Sequence, residues 1–283
     1  MPSNLGKDPR SVLALTLPIG LVVGITLGAL GGGGSILTVP VLVYLLGLDP
    51  RSATTGSLVI VGVTTLIGML PHLRARRVRL GQGVVFGLLG LGGAFVGSLL
   101  STAVPQNVLL AAFAGLMLVV AAVMTRRRWA AARNQAAGHG QVEARTTPVV
   151  SLRPFRCDCH ALGVLLLTAT AVGLLTGFFG VGGGFAVVPA LVLAMRLPMP
   201  VAVGTSLVVI TINSASSLLS RLGQDVTLDW ALIGSFTAAS VIGSLIGARI
   251  TAKVSPARLN LAFTVLLVVV ALYTAARSIP QFL

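Results

Sequence analysis

Hydrophobic residues run along this chain in long blocks with almost no polar interruption. The blocks fall at 11–30, 35–48, 53–70, 82–103 and 107–125. After a polar stretch from Arg126 to His160 they resume at 161–180, 184–196, 202–220, 230–250 and 257–276. A helix that crosses a bilayer needs about twenty apolar residues. The blocks 35–48 and 184–196 are too short for that, and each carries a proline, Pro40 or Pro189. They read as half-helices, short tilted spans or re-entrant segments. The pattern predicts an all-α polytopic membrane protein of two homologous halves. Each half has four full transmembrane helices plus one short broken or re-entrant segment, eight to ten membrane segments in total.

The organisation that follows is an N-terminal tail over 1–10, a first transmembrane repeat over 11–125 and a basic cytoplasmic loop over 126–160. A second transmembrane repeat covers 161–277 and a C-terminal tail 278–283. The first apolar block is longer than the core of a signal peptide and runs straight into a glycine motif, so it reads as a retained first helix.

The halves repeat one another in detail. Gly31-Gly32-Gly33-Gly34-Ser35-Ile36-Leu37-Thr38-Val39-Pro40 is matched by Gly180-Val181-Gly182-Gly183-Gly184-Phe185-Ala186-Val187-Val188-Pro189, at an offset of 149 residues. Each motif precedes a second one, Ala53-Thr54-Thr55-Gly56-Ser57-Leu58 or Ala202-Val203-Gly204-Thr205-Ser206-Leu207. Further on, at an offset of 150, Gly93 and Gly97 match Gly243 and Gly247, and Phe113 matches Phe263. Shared apolar composition does not align Gly, Pro and Ser in this way; internal duplication does. Whether the halves are parallel or inverted depends on the short blocks. If these are re-entrant, each half crosses four times and both termini are cytoplasmic. If they span, each half crosses five times, the halves are inverted and both termini are external.

Composition agrees with the membrane and removes other classes. Mean hydropathy is +0.99 and only 9% of residues are charged, against about 25% in a soluble domain. No run of short alternating segments suggests a β-barrel. The net charge of +14 records orientation rather than nucleic-acid binding, because Lys and Arg collect in cytoplasmic loops. Both topologies place fifteen of the twenty basic residues inside. Both put 71–81 and 126–160 in the cytoplasm. Trp129 and Trp230, at block ends, suit the interfacial aromatic belt. Cys157 and Cys159 make no disulfide framework. With Asp158 and His160 they resemble a metal cluster, but no second ligand pair follows, so a juxtamembrane turn is preferred and no metal is expected.

Candidate chemistry starts from an absence. No apolar block has a carboxylate at its centre, since Glu143 is in the polar loop and Asp8, Asp49, Asp158, Asp225 and Asp229 lie in loops or at block ends. His72, His139 and His160 are likewise at ends or in the loop. Proton relays and many cation sites use intramembrane acids, so a cation pump is disfavoured. An interrupted helix, by contrast, presents backbone N–H groups at the positive end of a dipole and attracts anions without a buried cation. Broken helices at matching positions of two halves are a pointer to a transporter binding site. The substrate-binding residues expected are Gly32, Gly33, Gly34, Ser35, Thr55, Ser57, Gly182, Gly183, Gly184, Thr205, Ser206 and Asn213. For any one hydroxyl, a bond to its own helix is the plainer account. Gly93/Gly97 and Gly243/Gly247 have the spacing of helix-packing glycines. Arg51 and Arg221 either gather anions at a vestibule or snorkel to the interface. The chain has no P-loop lysine and no intramembrane Ser–His or Asp–Asp pair, so no enzyme activity and no cofactor are expected.

The order of apolar helix, G-x-G-G-G, a hydrophobic stretch with proline and A-x-x-[TG]-[GT]-S-L resembles the TauE/SafE sulfite exporter family, also called the 4-toluene sulfonate uptake permease family. The resemblance covers about 11–125 and 161–277. It implies a bacterial inner-membrane permease for sulfite, organosulfonates or similar anions. The first motif departs from the second at Gly32, where its counterpart is Val181. Partners are then a small anionic substrate and the lipid bilayer, with no nucleic acid; a homo-oligomer is left open. Efflux needs no coupling ion, because an interior-negative potential favours it by about 2.3 kcal/mol per charge per 100 mV. The alternative is a non-transporting sensor or assembly protein that acts through the basic 126–160 loop.

Overall fold

The computed structural model describes residues 9–101, 106–136, 150–152, 155–157, 159–179, 184–219 and 228–278. Helix α1 (Pro9–Leu30) ends at a 3-10 turn, Gly31–Gly34, and resumes as the short α2 (Ser35–Pro40), which loosens into a π-turn over Val41–Leu45. Then come α3 (Pro50–Arg74), α4 (Leu80–Ser101) and α5 (Gln106–Ala136). A small antiparallel hairpin, β1 (Val150–Leu152) and β2 (Phe155–Cys157), leads into α6 (Cys159–Phe179). The chain continues as α7 (Gly184–Leu193), α8 (Met199–Leu219), α9 (Trp230–Lys253) and α10 (Pro256–Ser278). Among the described residues six helical stretches are long and apolar enough to cross a membrane, the first of them counted through the glycine turn; Gly163–Phe178 is a shorter apolar helix. The protein is a multi-pass helical membrane protein. Two features of the polar stretch differ from a plain loop. Residues 126–136 continue α5, since Arg and Ala are good helix formers, and Cys157 and Cys159 end the hairpin and start α6.

Packing pairs the halves crosswise. Along α1 and α9, Gly20 meets Phe236 and Ala239, Gly24 meets Ser240 and Gly28 meets Ser244, so these two helices run in the same direction. Along α4 and α6, Gly173 meets Gly90, Gly93 meets Thr170 and Leu174, and Gly97 meets Phe178. These helices too are parallel. In both seams the absence of a Cβ lets backbones touch, which is the usual association mode inside a bilayer. Helix α3 runs with α9, Gly56 at Ile233 and Gly68 at Ser244. Helix α8 runs with α4, Gly83 at Thr205 and Val208 and Gly87 at Ile212. Helices α3 and α8 cross antiparallel, with Gly62 at Ser214 and a 2.9 Å hydrogen bond between the Thr65 and Thr211 hydroxyls. Helix α10 packs on α5 through Phe113, Met117, Phe263 and Leu267, all buried.

These registers decide the topology that Lys and Arg counts leave open. Helices α1 and α3 both run with α9, so they are parallel to each other. Their ends lie level, because His72 Nε2 is 3.1 Å from Gly28 O. The chain must therefore return across the bundle between Leu30 and Pro50. The reversal is visible at Gly34, whose Cβ position lies 2.4 Å from Leu27 N. The same holds for α6 and α8, which both run with α4. Helices α1 and α6 consequently point in opposite directions, and the two series of five elements are inverted. The short segments also end alike. Gly47 (φ +69°) and Arg196 (φ +52°) are both left-handed, and Leu48 N donates to Leu42 O as Leu197 N donates to Leu191 O, each at 3.0 Å. This is a helix-ending turn that favours glycine, filled at one of the two positions by arginine.

Asp229 caps α9 by accepting from Ala231 N and Leu232 N, each at 3.1 Å. Outward-facing Leu88, Phe95, Leu99, Leu167, Ile242 and Val269 are exposed. In water such a surface would be an aggregation liability; in a bilayer it is the lipid face. Trp129 and Trp230 are exposed as well, 75% and 67%.

Candidate functional site

The first glycine turn is buried throughout. Gly31 carries φ +65°, a conformation that costs other L-residues roughly 1–2 kcal/mol and that lets α1 stop and the chain double back. Each glycine then lies against a different element. A Cβ at Gly31 would sit 2.4 Å from Ser206 Oγ, at Gly32 1.4 Å from Gly184 O, and at Gly33 3.0 Å from Leu266 Cδ2. Gly184 in turn lies against Ser35, whose Oγ is 2.2 Å from its Cβ position. The first turn of one half thus meets the start of the short helix of the other, main chain to main chain. It does so inside an apolar bundle and where a helix is broken. Irregular backbone at that depth is tolerated only where protein or a cavity satisfies it.

The expected residues separate into groups. Gly32, Gly33, Gly34, Ser35 and Gly184 come together, and Ser206 joins them through Gly31. Asn213 lies seven residues beyond Ser206 and so on the same face of α8. It is 8% exposed, and its Oδ1 has no hydrogen-bond partner among the described residues. Thr205 is on a neighbouring face and accepts from Arg79 N at 3.1 Å. Thr55 and Ser57 are elsewhere. Gly56 is level with Ile233 whereas Gly68 is level with Ser244, twelve residues or about 18 Å along α3, so both lie toward the opposite end of the bundle. Gly182 and Gly183 lie outside the described residues, as do Arg221 and the Arg51 side chain.

The hydroxyls beside the turn donate to their own helices. Ser35 Oγ bonds Gly32 O at 2.7 Å and Ser206 Oγ bonds Val203 O at 2.8 Å; at the other end of the bundle Ser57 Oγ likewise bonds Thr54 O at 2.8 Å. Their protons are committed locally, so a solute here would meet lone pairs, main chain and the Asn213 amide first.

Three further groups carry polarity that hydropathy concealed. Thr64 is wholly buried and its Oγ1 has no partner among the described residues. Most threonines here bond a carbonyl of their own helix, as Thr65, Thr176, Thr211 and Thr237 do. His72, expected at a helix end, is at the end of α3 yet only 1% exposed, held by Gly28 O. Arg77, in the turn after α3, has a buried Nη1. Thr64 lies inside the block 53–70 and His72 and Arg77 between blocks, so burial by α1 and α8 was not visible in the sequence.

A model of the family described as Sulfite exporter TauE/SafE matches residues 16–274. The chain belongs to the TauE/SafE family. It is a membrane transporter by that membership, as the relatives' names also say of themselves. A "Probable membrane transporter protein" of Xylella fastidiosa strain Temecula1 is 34% identical over 94% of this chain and 96% of its own length. "Probable membrane transporter protein YunE" of Bacillus subtilis is 26% identical over 89% of this chain and 93% of its own. No solved structure matches. The matched range includes both glycine motifs.

Proposed function

We propose that this TauE/SafE protein is a bacterial inner-membrane permease that exports a small sulfur oxyanion, sulfite or an organosulfonate. The two five-element series are read as a duplicated pair, with 71–81 and 126–160 in the cytoplasm and both termini outside. The observation that carries the reading is the meeting of the Gly31–Gly34 turn with Gly184 and Ser206 in a bundle without a central carboxylate. Two opposed helix breaks offer main-chain dipoles to an anion. Asn213 adds an amide on the same face of α8, with its Oδ1 unpaired and its –NH2 able to donate. Among the described residues no carboxylate lies in the bundle interior, since Asp49 and Asp229 precede α3 and α9, which agrees with downhill efflux driven by the membrane potential. Thr55 and Ser57, which match Gly204 and Ser206 at the offset of 149, are assigned to the external side of the same pathway, and Gly182 and Gly183, which match Gly33 and Gly34, to the second helix break of the same site.

Flux of radiolabelled sulfite from proteoliposomes tests this. Gly33→Leu drives a side chain into Phe263 and Leu266, and flux is expected to fall at least about tenfold. Asn213→Leu, a milder change sterically, is expected to fall as well. Removal of residues 137–149 should leave flux within twofold. The reverse pattern, with flux indifferent to both substitutions and lost with the loop, would favour the sensor or assembly reading.

A further inference from the structure

Four buried side-chain atoms lack a hydrogen-bond partner among the described residues: Thr64 Oγ1, Arg77 Nη1, Gln82 Oε1 and Asn213 Oδ1. Two of them, on Arg77 and Gln82, flank the turn that joins α3 to α4. That turn is fixed on every side. Arg76 takes a left-handed φ of +54°, and Arg77 N donates to His72 O at 2.9 Å. Gly204 of α8 lets the Arg77 carbonyl come within 2.5 Å of its Cβ position, and Arg79 N donates to Thr205. The same stretch of α8 carries the glycine turn on its other flank, through Val203 O and Ser206 Oγ at Gly31. His72, five residues before Arg77, reaches Gly28 at the end of α1.

The charge of this corner is one-sided. Arg74 and Arg76 are exposed around it, and Arg77 and Arg79 are partly buried. The acids among the described residues, Asp49 and Asp229, precede α3 and α9 and so lie at the other end of the bundle. A guanidinium N–H taken out of water without an acceptor is costly, and the acceptor that fits its planar fork is an oxyanion.

We infer that the α3–α4 turn is an oxyanion-binding site at the cytoplasmic mouth, with Arg77 as its principal ligand. The ligand chemistry is a sulfur or phosphorus oxyanion, which a solute such as sulfite or the phosphate of an anionic lipid both supply. As a solute site it deepens the transport reading, for it would load anions next to the Gly31 turn from inside only. The first-half turn has four arginines at 74–79, whereas the corresponding 224–229 has Asp225 and Asp229 and no basic residue.

Binding is measured without transport. Purified protein in zwitterionic-lipid nanodiscs is titrated with radiolabelled sulfite, and native mass spectrometry scores retained phosphatidylglycerol. Wild type is compared with Arg77→Gln, Arg77→Lys and the exposed control Arg74→Gln. Sulfite affinity at least about tenfold weaker in Arg77→Gln, several-fold weaker in Arg77→Lys and within twofold in Arg74→Gln supports a solute site. Unchanged sulfite binding with loss of retained lipid in both Arg77 variants supports the site with a lipid phosphate as ligand. Arg77→Gln and Arg77→Lys that match wild type in both measurements overturn it. Arg77→Lys, which keeps the charge, serves if Arg77→Gln does not fold. A wild type that binds sulfite here but never carries it would end the transport reading and leave the site standing.

Discussion

Two glycine-rich places in this protein are equally tight and are built for different ends. In the seam of α1 with α9, Gly24 and Gly28 sit in regular helix, and their Cβ positions lie 2.0 and 2.1 Å from Ser240 O and Ser244 O. In the turn Gly31–Gly34 the clearances are as small. There, however, the backbone leaves the helical region at Gly31, which meets the Ser206 hydroxyl of α8, while Gly32 meets the Gly184 main chain of the other half. Close approach alone therefore does not mark a site. A close approach at an irregular backbone, beside polar groups from the opposite half, does.

The seam is the place to expect the largest effect. Gly28→Leu drives a branched side chain into the Ser244 main chain, and overpacking against backbone should cost about 3 kcal/mol or more. The expected result is loss of the monodisperse peak in size-exclusion chromatography, with transport lost alongside it. A variant that melts like wild type would mean that the α1/α9 seam is plastic. Gly31→Ala should cost about 1–2 kcal/mol from its positive φ, leave a folded protein and lower flux per folded molecule about tenfold. Adding Ser206→Ala removes the hydroxyl that the new methyl meets, so the double variant should melt higher than Gly31→Ala alone; equal melting would deny the contact. Smallest of all is Gly92→Ala. Its Cβ meets nothing within 4 Å, and helix propensity favours alanine by up to about 1 kcal/mol. Thermal stability should hold or rise slightly with flux unchanged. A loss of flux there would show that glycines matter to this transporter outside both the seam and the turn.

Much of this architecture could be read from the chain. Block lengths gave the helices, the shortness of 35–48 and 184–196 marked the odd elements, and glycine spacing marked the seam faces. Topology could not be read, because exchanging Lys7, Arg10, Arg221 and Arg277 for Arg196, Arg249, Lys253 and Arg258 keeps the inside count at fifteen. It took contacts between residues more than two hundred apart, such as Gly28 with Ser244, to separate the cases. The grouping of the candidate residues was half legible. Gly32, Ser35, Gly184 and Ser206 come together, but Thr55 and Ser57, near the glycine motif in sequence, are carried away because α2 takes the chain back across before α3 begins. Arg77 and His72 looked like solvated loop residues by composition. Packing against the end of α1 buries His72, and Gly204 on the Arg77 carbonyl leaves Arg77 partly buried.

The crosswise seams also set a timetable for biogenesis. Gly28 must wait for Ser244, and at 5–20 residues per second the ribosome needs roughly ten to forty seconds to supply it. The α4/α6 seam closes over a much shorter stretch of chain and forms first. Until α9 arrives, the glycine stripe of α1 faces lipid with no partner. A chain truncated after the first half would keep that stripe open for good. Helix α1 thus leaves the ribosome long before its partner and settles only once α9 has been made.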